Sequence, residues 1–264
     1  VFSAMSEPRR HIDGLAFGVL PEAVLQLRVE NPLIALVHHP LALEAGLSMQ
    51  QANILRSCER AALIAARLVI ANSAETARHL TNDYGVAADR IVIACPGSDP
   101  APKAQGSRDG IVRLLSVGAL VPRKGFDVLI AALAMLADLP WRLTVAGDRG
   151  RDAETAARLD ADIARHGLGA RVTVLGAVLP ERLRELYTST DVFVLASRFE
   201  GYGMAYAEAI AHGLPVVSTR AALASAYFLQ SVFDRSDHDK AQRIARTWAA
   251  GGDTLEAVLV HSYP

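Results

Sequence analysis

Short apolar runs alternate with helical stretches along most of this chain, and that alternation constrains the fold more than any other feature. Strand-like runs fall at residues 33–38, 68–71, 91–94, 112–117, 142–146, 172–175, 192–195 and 215–218. Helical stretches fall between them, at 48–67, 73–84, 125–137, 152–166, 180–189 and 203–212. Nearly continuous apolar strands separated by helices predict parallel sheets covered on both faces. Ser73 has the character of an N-cap, with Thr76 in the place of the Glu of a full capping box, and Gly85 is placed to stop that helix. Residues 96–110 are rich in Pro, Gly, Ser and charge and break the alternation, as an interdomain linker does. The expected organisation is therefore two α/β lobes, residues 1–103 and 104–264. Past Thr219 the pattern changes: residues 234–250 suit a polar helix, and residues 258–264 carry no readable organisation.

Composition narrows the function classes. With 264 residues, 51% of them hydrophobic, the chain can bury one large core or two small ones. A net charge of −1 gives no general attraction to nucleic acid or to an anionic membrane surface. No apolar run is long enough to span a bilayer, and residues 1–11 lack the apolar region of a signal peptide. A cytoplasmic location is expected, with membrane contact only peripheral, on the inner face. Cys58 and Cys95 are not spaced as a metal pair and are read as two buried free thiols.

Three segments concentrate chemistry. The densest is Ser197-Arg-Phe-Glu-Gly-Tyr-Gly-Met-Ala-Tyr-Ala-Glu208, which follows a strand and opens a helix. Ligands of parallel sheets bind past the C-terminal strand ends. Gly201 and Gly203 allow close approach to the backbone, and the amides of Tyr202, Gly203 and Met204 would meet a phosphate at the helix N-terminus. Glu200 lies before the helix and Glu208 within it, so one carboxylate can face a sugar and the other a ribose. Spacing alone is equally compatible with a Gly-rich turn bearing two solvated glutamates. In the second segment, Val117-Gly-Ala-Leu-Val-Pro-Arg-Lys-Gly-Phe-Asp127, Gly118 ends a strand and Arg123 and Lys124 precede a helix. Two cations there can clamp a diphosphate, although a basic loop is the plainer reading. The third is Ala35-Leu-Val-His-His-Pro40. Adjacent histidines on an extended chain point to opposite faces, which makes a weak metal signal. Asp160/Asp162 and Asp237/Asp239 mimic a metal-binding Asp-x-Asp, but the first pair lies mid-helix, where residues two apart share no face, and the second lies in the tail that carries no readable organisation; no metal is assigned.

Taken together these segments resemble the C-terminal domain of the family-four, GT-B retaining glycosyltransferases (glycosyl transferases group 1). Glu200 and Glu208, with seven residues between them, match the family's E-x7-E motif. The flanking Asp191-Val-Phe-Val-Leu-Ala-Ser, the stretch Glu208-Ala-Ile-Ala-His-Gly-Leu-Pro-Val-Val-Ser-Thr219 and the pair Lys124-Gly125 fit as well. The resemblance runs over roughly residues 34–219 and implies a pair of Rossmann-like lobes with a cleft between them. It implies that Arg123 and Lys124 bind the donor diphosphate, that Glu200 contacts the donor sugar and that Glu208 holds the ribose hydroxyls. The loop near Gly176 and Val178 would hold the base by its backbone. A histidine at the cleft would be His39, or His38 as second choice; Glu44 would face the acceptor or lie on the surface. Ala119 stands where many relatives have Arg, a place Arg123 would fill.

The implied reaction is transfer of a hexose, with retention, from a nucleotide diphosphate sugar to the hydroxyl of a sugar, a lipid-linked or a small-molecule acceptor, as in bacterial-type glycan biosynthesis. No metal and no cofactor beyond the donor are expected. Measured against the family, the N-terminal lobe is expected to be incomplete and the stretch 221–230 to be divergent. A non-catalytic chain that retains nucleotide binding is therefore the alternative. An NAD-dependent oxidoreductase is disfavoured by the missing Gly-x-Gly-x-x-Gly.

Overall fold

The structure, a computed structural model, describes residues 10–30, 32–44, 46–219 and 257–260. The chain divides into two compact units, Val1–Pro96 and Gly97–Pro264.

The first unit carries a parallel sheet of strands β1 (Arg10–Asp13), β2 (Leu33–Val37), β3 (Leu68–Ala71) and β4 (Ile91–Ile93), in that spatial order. Four helices accompany it: α1 (Gly14–Val19), α2 (Pro21–Glu30), α3 (Met49–Ala65) and α4 (Ala74–Asn82). Phe17, Leu33, Val37, Leu63, Val69 and Leu80 form its core. The Ser73 hydroxyl accepts from the Thr76 amide at 3.0 Å, and Gly85 has φ +69°, so α4 starts and the chain turns where the sequence indicates. Ser48 caps α3 in a full capping box with Gln51. The expectation of two buried thiols is corrected here. Cys95 is exposed and Cys58 half-buried, because Cys95 follows the edge strand β4, where Val92 and Ile93 already face solvent.

The second unit has a six-stranded sheet. Its strands are β5 (Val112–Val117), β6 (Trp141–Ala146), β7 (Val172–Gly176), β8 (Val192–Leu195), β9 (Val216–Thr219) and β10 (Ala257–Val260). The spatial order is β10-β9-β8-β5-β6-β7. All pairings are parallel except β10 on β9. Helices α5 (Phe126–Ala134), α6 (Ala153–Arg165), α7 (Pro180–Thr188) and α8 (Met204–Ala211) connect the parallel strands. Every residue of β8 and β9 is buried. Because successive side chains point to opposite faces, the sheet is covered on both sides, as the apolar runs predict. Leu115, Phe193, Val194 and Val217 of the sheet and Leu129 and Ile130 of α5 are buried together in one core. The antiparallel β10 corrects the expectation that residues 258–264 carry no organisation, since Val258, Leu259 and Val260 pair with β9. The proposed polar helix at 234–250, the Asp237/Asp239 pair and the stretch 221–230 lie outside the described residues.

The linker segment is not a free tether. The Ala104 amide donates to the His212 carbonyl at 2.7 Å and the Gln105 amide to the Thr188 carbonyl at 2.9 Å. The Asp191 carboxylate accepts from the amides of Ser107 and Arg113, each at 2.7 Å. These bonds strap the segment to the second unit, and the division falls at Pro96, ahead of the boundary drawn at 103.

Candidate functional site

Strand order alone picks out a place. Successive strands run β5, β6, β7 to one side of the sheet, and β8, β9 return to the other side of β5. The order reverses between β5 and β8, and ligands of open α/β sheets bind outside the carboxyl ends at such a switch point. The turn after β5 carries Arg123 and Lys124, and the loop after β8 carries Glu200.

Those side chains meet. Lys124 Nζ donates to Glu200 Oε1 at 2.7 Å, and Arg123 Nη1 lies 3.5 Å from Glu200 Oε2. Ser197 Oγ donates to Glu200 Oε1 at 2.6 Å. Glu200 is 5% exposed and Lys124 9%, so both charges are largely withdrawn from water and compensated by each other. Arg198 fastens the two loops together. Its amide donates to the Arg123 carbonyl at 2.7 Å, and its guanidinium grips both Asp127 carboxylate oxygens at 3.0 and 2.6 Å as well as the Pro122 carbonyl. Burial raises the Asp127 pKa, but the Arg198 guanidinium outweighs it and holds the carboxyl below its ordinary value.

Gly125 explains the tightness of this junction. It adopts φ +63°, and a Cβ there would overlap the Ala196 carbonyl oxygen. Only glycine lets the Lys124 turn lie directly on the end of β8. Gly118 serves a related purpose, since a Cβ on it would press on Lys124 Cε at 3.1 Å.

Helix α8 begins at Met204 with Gly203 as its N-cap, at φ +90°, and no side chain caps it. That suits the phosphate role expected of this turn. Tyr202 is buried. Beneath the turn, Tyr206 donates its hydroxyl to the Leu195 carbonyl at 2.9 Å and accepts from Ser218 at 2.7 Å. Burial, then the Glu200 carboxylate, pushes the Tyr206 hydroxyl well above its ordinary range, so it stays protonated.

Glu208 lies eight positions after Glu200, inside α8, and faces a different neighbourhood. Tyr187 donates to Glu208 Oε2 at 2.9 Å. A pocket of about 290 Å³ opens beside it, lined by residues 97–102 on one side and by Leu183, Tyr187, Met204, Glu208 and His212 on the other. The two carboxylates of the motif thus occupy separate surroundings, one in a cationic clamp and one at a pocket wall. Gly176 ends β7 at φ +75°, and its carbonyl accepts from the Gly147 amide at 2.9 Å; Val178 packs against the core.

In the first unit, His38 and His39 do diverge. His38 Nε2 pairs with Asp13 at 3.1 Å on the exposed side, and His39 Nε2 with Glu44 at 3.0 Å, half-buried. The turn after them is anchored from below, where the buried Glu59 accepts from the Leu41 amide at 2.9 Å. On α6, Asp160 pairs with Arg149 and Asp162 with Arg165. They point apart, and among the described residues no group of three acidic, His or Cys side chains could hold a metal ion. Among the described residues no helix is long and apolar enough to cross a membrane.

The structure brings Arg123, Lys124 and Glu200 into one cluster and sets Glu208 apart from it; the residues that support them, Ser197, Arg198, Asp127, Tyr187 and His212, are not among those the sequence singles out. Ser197 and Arg198 stood inside the densest segment, three and two residues before Glu200. Nothing local marks Tyr187, whereas His212 stands within the Glu208–Thr219 stretch that carries the family resemblance.

Comparison with known proteins bears on the same residues. Residues 98–234 match the family model described as glycosyl transferases group 1, and residues 11–102 match that of glycosyltransferase family 4. Mannosylfructose-phosphate synthase of Agrobacterium fabrum is 32% identical over 183 residues, 63% of this chain and 38% of its own length. D-inositol 3-phosphate glycosyltransferase of Rhodococcus erythropolis is 31% identical over 209 residues, 70% of this chain and 47% of its own length. The chain thus spans less than half the length of these relatives. Among solved structures, sucrose-phosphate synthase of Thermosynechococcus elongatus superposes with TM-score 0.69 at 23% identity, over 84% of this chain and 58% of that one. Anabaena HepE, in complex with UDP and glucose, superposes with TM-score 0.63 at 21% identity, over 81% and 60%.

Proposed function

The chain belongs to the glycosyl transferases group 1 family, and on that footing we propose that it transfers a hexose from a nucleotide diphosphate sugar to a hydroxyl acceptor, with retention of anomeric configuration. The observation that carries this reading is the Lys124–Glu200 contact of 2.7 Å at the switch point between β5 and β8. A carboxylate suited to sugar hydroxyls and two cations suited to a diphosphate are there assembled within one cluster.

The roles follow from chemistry. Arg123 and Lys124 neutralise the diphosphate, and their stabilisation matters most as charge builds on the leaving oxygen. The uncapped start of α8, at Gly203 and Met204, adds amide dipoles of the same sense. Glu200 accepts from hydroxyls of the donor sugar and Glu208 from those of the ribose. Backbone near Gly176 and Val178 holds the base. The bond from the anomeric carbon to the diphosphate oxygen breaks, the acceptor oxygen bonds to that carbon on the same face, and its proton passes to the departing diphosphate. UDP is the first nucleotide to test, because a structural neighbour holds it. A phosphorylated polyol is the first acceptor to test, because a relative is named for D-inositol 3-phosphate.

Calorimetric titration with UDP, GDP and ADP, without added metal, tests the donor site. Saturable binding of one nucleotide, lost in both Glu208→Ala and Lys124→Ala, is expected. A folded chain that binds none of the three overturns the assignment.

A further inference from the structure

The strap and the Glu208 carboxylate are joined by two buried rings. His212 caps the C-terminus of α8, one turn past Glu208. Its Nδ1 lies 2.8 Å from the Pro102 carbonyl, and since a carbonyl only accepts, that nitrogen carries the proton. Its own carbonyl accepts from the Ala104 amide at 2.7 Å, so His212 holds the strap from both sides. The Tyr187 ring stacks on the His212 ring, with centroids 5.0 Å apart and planes 13° from parallel. The Tyr187 hydroxyl then donates to Glu208 Oε2 at 2.9 Å. Both rings are buried. Burial, and after it the Glu208 carboxylate, pushes the tyrosine pKa well above its ordinary value, so this hydroxyl donates throughout the neutral range. The pocket described above has the strap as one wall and Glu208, Tyr187 and His212 in the other.

We propose that Tyr187 and His212 are positioning residues that couple the docking of the 97–105 strap to nucleotide binding at Glu208. Tyr187 occupies one carboxylate oxygen, fixes the rotamer and leaves the other oxygen for ribose hydroxyls. A nucleoside diphosphate that engages Glu208 tightens this assembly and with it the hold on the strap. By reciprocity, loosening the strap weakens the nucleotide by the same factor. The inference rests on the donor-site reading above and adds residues that reading does not use.

Hydrogen exchange of the peptide containing Ala104 and Gln105, measured on the whole chain with and without saturating UDP, GDP or ADP, tests it. In the wild-type chain the bound nucleotide is expected to slow exchange there by about fivefold or more. Tyr187→Phe keeps the stacked ring and removes only the hydroxyl. It is expected to weaken nucleotide affinity about fivefold and, at saturation, to abolish the protection of the strap. His212→Ala is expected to speed strap exchange without nucleotide and to weaken binding in proportion. If the wild-type chain binds nucleotide in a Glu208-dependent manner while strap exchange is unchanged, the coupling is overturned and the donor site stands. Protection that persists in Tyr187→Phe also overturns it. If none of UDP, GDP and ADP binds, the donor-site reading falls and the coupling falls with it.

Discussion

Lys124 and Glu200 stand 76 positions apart in the chain, yet their charged atoms meet at 2.7 Å in a setting where each is at least nine-tenths buried. Two strand ends on opposite sides of the topological reversal deliver them, and the glycine after Lys124 lets the two loops touch. Within the cluster the pair satisfies itself. Under the proposed function a diphosphate and a sugar would each take one partner, which asks little reorganisation of the cluster.

The first prediction concerns that pair. Lys124→Met leaves the Glu200 carboxylate buried with Ser197 and the more distant Arg123, and is expected to cost about 2–4 kcal/mol in urea unfolding. Adding Glu200→Gln removes the orphaned charge and is expected to restore most of that loss, while nucleotide binding stays impaired in both variants. A double variant no more stable than the single one contradicts this account.

Gly125 gives the second. Any side chain meets both the left-handed backbone and the Ala196 carbonyl. Gly125→Ala is expected to destabilise the second unit by more than about 2 kcal/mol, beyond the roughly 1 kcal/mol of a left-handed alanine alone. Thermal unfolding of the variant against Gly110→Ala, a site of positive φ with open space around it, separates overlap from backbone cost.

The third concerns the Arg198 clamp. Its guanidinium is partly exposed, so Arg198→Lys is expected to cost only about 0.5–1 kcal/mol of stability. Lysine cannot reproduce the bidentate grip on Asp127 and still reach the Pro122 carbonyl. The Arg123–Lys124 turn should therefore loosen, and calorimetry should show nucleotide affinity lowered several-fold. Unchanged affinity would show that the turn needs no clamp.

How much of this was legible in the sequence depends on where the information resides. The fully buried β8 and β9 advertise themselves as unbroken apolar runs, and Ser73 and Asp152 announce their helices because capping is a local bond. Strand β1 was unreadable because Arg10, His11 and Asp13 spoil any apolar pattern; its pairing with β2 alone defines it. Strand β10 is likewise defined by its antiparallel partner β9. In the site, Glu200, Glu208, Arg123 and Lys124 were singled out as candidates through the family resemblance, where residue types and spacing alone leave a Gly-rich turn and a basic loop as readings. The supports were not, because Arg198 finds Asp127 across 71 positions and His212 finds Pro102 across 110. No local rule encodes such contacts.

The fourth prediction follows from Glu59 in the first unit, whose carboxylate holds the turn after His39 through the Leu41 amide. Burial pushes its pKa up to about 7, with the Leu41 amide pulling in the opposite direction; the ordinary value is 4.5. Below pH 4.5 folded and unfolded chains both carry the proton. Between 4.5 and 7 the folded chain keeps a proton that the unfolded chain has released, so stability falls as pH rises through this window and levels off above it. The loss from this one group is about 3 kcal/mol. Glu59→Gln retains an acceptor for Leu41 and cannot ionise. Urea unfolding followed by circular dichroism should show the variant gaining on the wild type by about that amount between pH 4.5 and pH 8. Parallel stability curves across that range would mean that Glu59 ionises in the folded chain as freely as in the unfolded one.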